Sequence, residues 1–109
     1  MKIIIPQNLF SAIWALTLDD KDKAELVIKK SSLVTQSLMN DEAKLALIPS
    51  MDLLSHKDLF VSTKFSIAFD GNVSNSLFLF SENKTEIETV TVRGDVSSNE
   101  LILTKLLFS

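Results

Sequence analysis

Apolar residues in this chain fall in short continuous runs separated by polar segments. Residues 3–5 (III), 25–28 (ELVI) and 45–48 (LALI) are three such runs, and each is rich in β-branched or aliphatic side chains. A short run without polar alternation predicts a strand buried on both faces. Between these runs the period changes. Pro6 ends the first, Asn8 is placed to cap a helix over residues 9–18, and that helix is apolar nearly all round, which suits a position inside a larger body. Residues 19–23 read as a charged loop. Ser31 or Ser32 caps a short helix over 33–39, where Val34 and Leu38 share a face at i,i+4 spacing, and Asn40-Asp41 ends it. Residues 44–50 (KLALIPS) run from a buried strand straight into a polar helix start. Ser50 is the expected N-cap of a helix over 51–56, with Asp52 in its first turn, where negative charge suits the helix dipole.

The second half is patterned differently. Residues 60–69 alternate in part, with Phe65, Ile67 and Phe69 on one side. Asp70-Gly71-Asn72 signals a turn, and residues 77–80 (LFLF) read as a buried strand. Thr85 and Glu88 have capping-box spacing, residues 90–92 predict another strand, and Ser97 and Glu100 form a second capping box that opens the apolar run 101–108. The order β-α-β-α-β-α-β-β-(α)-β-α predicts an α/β fold: a mostly parallel sheet with helices on both faces.

Composition changes this picture only by exclusion. The chain has 109 residues, 46% apolar and 23% charged, which is enough for one modest core. The net charge is −3, and Lys29-Lys30 is the single adjacent basic pair, so no positive footprint for nucleic acid exists. There is no Cys and one His, His56, which excludes thiolate and multi-His metal sites. No Gly-rich phosphate loop is present and no cofactor is expected. Apolar runs are too short for a membrane span, and Pro6-Gln7-Asn8 interrupts what could pass for a signal peptide, so the chain reads as cytoplasmic and not membrane-bound.

Candidate chemistry lies at the helix starts. In a parallel sheet every strand-to-helix turn falls on one edge, where unsatisfied N–H groups favour carboxylates and phosphates. Four segments have that form: Pro6-Gln7-Asn8, Ser31-Ser32, Pro49-Ser50 and Ser97-Ser98-Asn99. Ser and Asn at such places commonly serve only as caps. Ser74-Asn75-Ser76 is a fifth candidate. Arg93, the sole arginine, could reach an anionic ligand or simply pair with Asp95. Trp14 reads as core, and His56 sits among exposed residues. No carboxylate pair is placed for acid/base work.

From residue 45 onward a longer pattern emerges: Ala46-Leu47-Ile48-Pro49-Ser50, then Ser66-Ile67-Ala68, then Gly71-x-Val73-x-x-Ser76-Leu77-Phe78-Leu79-Phe80-Ser81, then Glu86-Ile87-Glu88-Thr89-Val90. It resembles the menaquinone-biosynthesis family of the futalosine route that includes chorismate dehydratase and dihydroxynaphthoate synthase, cytoplasmic enzymes of type II periplasmic-binding-protein-like fold. The resemblance implies a first α/β lobe over residues 1–80, then a crossing segment and the start of a second lobe over 81–109. It implies a small carboxylate ligand in the cleft, with contacts at Asn8, Ser50, Asn75 or Ser76, and Ser97 or Ser98. If the protein is an enzyme, the resemblance implies a chorismate dehydratase-like lyase. The family's internal Arg is absent from the segment 93–99. The alternative is a non-catalytic half-domain that self-associates, a homodimer formed by exchange of its C-terminal arm.

Overall fold

The computed structural model describes residues 1–68, 70, 77–83 and 86–108. Its sheet has three parallel strands in the order β2-β1-β3, comprising β1 (Ile3–Pro6), β2 (Leu26–Lys29) and β3 (Leu45–Ala46). Ile3 lies opposite both Leu26 and Leu45, so β1 is the centre strand. That is the place for the most apolar run, and all four β1 residues are buried.

The pleat sends successive side chains to opposite faces. Ile3 and Ile5 pack with Ala15 of α1 (Leu9–Leu16), joined by Trp14, Leu18, Leu26, Leu45 and Leu47. Ile4 packs on the other face with Val34 of α3 (Ser31–Met39) and with Ala43, joined by Val27, Ala46 and Ile48. A helix therefore covers each face of the sheet, as the unalternating strand pattern requires. The larger assignment to a periplasmic-binding-protein-like fold goes beyond these three strands.

Helix boundaries follow side-chain capping. Asn8 caps α1 by accepting from the Ser11 N–H at 2.9 Å. The helix ends two residues earlier than the apolar run predicts, because the Thr17 hydroxyl bonds back to the Trp14 carbonyl at 2.6 Å. Asp19 then accepts from the Asp22 N–H and opens a short helix, α2 (Asp20–Ala24), where a charged loop is expected. Helix α1 is also less enclosed than its sequence suggests, since Leu9, Ile13 and Leu16 are exposed. Asn40 and Asp41 end α3 as expected, Asp41 taking a left-handed φ of 55°.

Beyond β3 the expected helix over 51–56 is a 3₁₀ turn, Ser50–Leu54. The capping box at Ser97 and Glu100 opens α4 (Ser98–Leu107) as the spacing predicts. The expected strands at 77–80 and 90–92 do not join the sheet, and residues 77–80 are exposed rather than buried. The expected turn at 70–72 and the box at Thr85 fall wholly or partly outside the described residues.

At the C-terminal end of β2, Lys29 donates to Ser37 at 2.6 Å and pairs with Glu42, which ties the strand to the loop after α3. The Lys29 hydrogen bond, with smaller help from Ser37, holds Glu42 below its ordinary value of 4.5. A carboxylate whose pKa falls on folding stabilises the folded state above the unfolded value and loses that contribution as pH drops through the folded one. Thermal melts of wild type and Glu42→Gln should thus differ at pH 7 and converge as pH falls below about 4. A difference unchanged down to pH 3 would contradict the pairing.

Candidate functional site

The C-terminal edge of the sheet is where β1, β2 and β3 run into α1, α3 and the 3₁₀ turn. Three helix starts meet there: those of α3, the 3₁₀ turn and α4. Helix α3 has Lys30 at its N-cap position, and Lys30 makes no side-chain cap. Asp95 supplies one from 64 residues away. Its carboxylate accepts from the Ser31 N–H at 2.8 Å and from the Ser31 hydroxyl at 2.5 Å. Gly94 precedes it with φ +101°, a backbone angle that side-chain-bearing residues rarely adopt. Asp52, in the 3₁₀ turn, accepts from the hydroxyls of Thr35 and Ser98, while Asn99 accepts from the Met51 N–H at 3.1 Å. The Ser31 and Met51 N–H groups, which could meet an outside anion, are thus met by acceptors of the chain itself.

The candidate residues separate into groups. Asn8 is half-buried, engaged as a cap, and placed on a cavity wall. Ser50 is exposed at the start of the 3₁₀ turn, where Pro49 takes the N-cap position and no side chain caps, so Ser50 is not the expected cap. Ser97 is buried within its capping box, and Ser98 bonds Asp52. Asn75 and Ser76 lie outside the described residues. Asp52 and Asp95 are the residues that sequence reasoning missed as site elements, whereas Asn99 belongs to the expected polar start Ser97-Ser98-Asn99. Asp52 is legible only as a dipole partner, and Asp95 as a neighbour of Arg93.

Beside this polar junction lies an open cavity of about 830 Å³. Gln7 and Asn8 form its wall on the lobe side. Residues 77–81 and 86–96, with Leu103, Thr104 and Phe108 of the α4 region, form the rest. Its apolar end is aromatic: Phe108 meets Phe78 edge-on at 5.1 Å and Phe80 at 6.3 Å between ring centroids. Arg93 also lines it. Because the Asp95 carboxylate is turned to Ser31, the expected Arg93–Asp95 pair does not form, and among the described residues Arg93 has no ion pair. Glu86 and Glu88 are on the same lining. Their charge would repel an anion elsewhere in the cavity and confine a carboxylate to the neighbourhood of Arg93.

No protein-family profile, curated protein or solved structure matches the chain. Among the described residues, no group of three or more acidic or His side chains is arranged to hold a metal ion, and no helix is long and apolar enough to cross a membrane.

Proposed function

We propose that this protein binds a small carboxylate with an apolar or aromatic body in the 830 Å³ cavity. The observation that supports this most is the position of Arg93, the sole arginine, on the cavity lining without a carboxylate partner among the described residues. Its guanidinium offers the forked donors that carboxylates bind in a bidentate manner. The side-chain amide of Gln7 adds a polar group on the lobe-side wall, and Phe78, Phe80 and Phe108 offer apolar surface for the rest of the ligand. The walls are mixed, with polar residues as frequent as apolar ones, and the aromatic end supplies the apolar surface that small-molecule sites use. The reading agrees with the resemblance to the cytoplasmic chorismate dehydratase family and its two-lobed, type II periplasmic-binding-protein-like fold. Within that reading, any catalysis would be a lyase step on the bound acid.

Thermal melts with a panel of small carboxylates, chorismate-like acids among them, test it. A ligand at about 100 times its Kd stabilises a one-site protein by about 2.7 kcal/mol, which for a domain this size is roughly 10 °C in Tm. That rise is expected for aromatic or cyclic acids, and it should disappear in Arg93→Ala. A folded protein whose Tm moves with none of them would contradict the proposal.

A second reading is favoured by a separate observation. Residues 77–80 and α4 both carry exposed large apolar side chains, Leu77 at 81% and Leu79 at 91% exposure among them. Surfaces of that kind mark interfaces. We propose on this ground that the C-terminal arm also mediates self-association into a homodimer.

A further inference from the structure

The way residues 93–108 are fastened to the lobe differs from the way the lobe itself is held together. The lobe is joined by two apolar clusters centred on Ile3, Ile4 and Ile5. No residue of 93–108 belongs to either cluster among the described residues. In α4, Leu101, Leu103, Leu106 and Leu107 are exposed. What ties the segment to the sheet lobe is a set of hydrogen bonds at one end, Asp95 to the Ser31 N–H and hydroxyl, Ser98 to Asp52, and Asn99 to the Met51 N–H, while at its other end Phe108 packs on Phe78 and Phe80 outside both clusters.

We infer that residues 93–108 form a strap latched over the cavity by the polar junction of Asp95, Ser98 and Asn99 with Ser31, Asp52 and Met51, and that the strap releases as a unit while the lobe stays folded. Elements that open below the global stability are those with few buried apolar contacts, and the strap fits that description. Its Asp95 carboxylate is held by two hydrogen bonds from Ser31 and its Asn99 amide by one from Met51, each contributing only modestly once water can replace the partner. The two lobe residues gripped, Ser31 and Met51, lie in different elements, so losing one grip weakens the other only if the strap residues that hold them move together. The consequence for the cavity is direct. Gln7 and Asn8 are its wall on the lobe side, and Asp95, Val96, Leu103 and Thr104 of the strap face them across it. Releasing the latch parts these walls and admits solvent or ligand. The inference concerns the free protein and needs no ligand, so it can fail while the binding proposal stands, and the reverse.

Amide hydrogen exchange read residue by residue by NMR is the test, in wild type, Asp95→Ala and Asn99→Ala. The Ser31 and Met51 N–H groups report the latch, and the Leu47 N–H, bonded to the Ile4 carbonyl at 3.0 Å, reports the lobe. Asp95→Ala is expected to speed exchange at Ser31 at least tenfold, and to speed Met51 similarly although its own partner Asn99 is intact. Asn99→Ala should do the converse. Leu47 should keep its wild-type protection in both. Acceleration confined to the residue whose partner was removed would overturn the strap as a unit. Equal loss of protection at Leu47 would overturn its independence from the lobe.

Discussion

Replacing Ile4 by Ala is expected to lower stability by about 3 kcal/mol, the usual cost of deleting most of a fully buried aliphatic side chain and leaving a cavity. Ile4 is wholly inaccessible to solvent, lies on the centre strand, and is, with Ile3, Ile5 and Val34, among the largest fully buried side chains of the described residues. Its neighbours Val34 and Ala43 come from different elements, so the space it vacates cannot be filled by one local shift. In a domain of this size about 3 kcal/mol corresponds to a drop of roughly 15 °C in Tm. Ile13→Ala is the control. Ile13 sits on the neighbouring helix α1 but is more than half exposed, and the change should stay within about 0.5 kcal/mol. Equal effects at the two positions would contradict the two-cluster core.

The other large effect concerns association. Leu79 lies just before the arm and Leu106 in its helix α4, and both are mostly exposed. Burying one such side chain at an interface yields about 1.5–3 kcal/mol, so a charge at either position removes that gain and adds a desolvation cost. The double variant Leu79→Glu/Leu106→Glu should weaken a homodimer at least a hundredfold in sedimentation equilibrium, while the melt of the lobe, monitored through Trp14 on α1, stays unchanged. A wild-type protein that sediments as a monomer at all accessible concentrations would remove this reading.

How much was legible in the sequence depends on the range of the interaction. Residues 3–5, 26–29 and 45–46 are strands because β-branched and aliphatic runs bury on both faces, and that signal is local. The caps at Asn8 and at Ser97 with Glu100 are equally local, set by side chains bonding amides within three residues. The break after Leu16 turned on a competition that apolar periodicity does not register: the Thr17 hydroxyl against the continuing helix, followed by the Asp19 cap. Residues 77–80 fail for another reason. A run such as LFLF predicts burial only if another element covers it, and no pattern within the run says whether one does.

The site divides in the same way. Polar helix starts could be read from sequence, and so could their shared edge. That the starts of α3 and the 3₁₀ turn are met by the chain's own Asp95 and Asn99 could not, because those bonds span 64 and 48 residues. The same contact leaves Arg93 without its nearest acidic neighbour, and that is the ground on which the binding proposal rests.

The most direct test of the binding proposal is a titration of isotopically labelled protein with an aromatic carboxylate, followed through the amide and side-chain N–H signals. The account predicts saturable shifts at Gln7, Asn8, Arg93 and Thr104, around the cavity, and none at α2, which lies beside Met1 at the opposite, N-terminal end of the strands. Saturable shifts at α2 with the cavity signals unmoved, or no shifts with any acid in a folded sample, would contradict it.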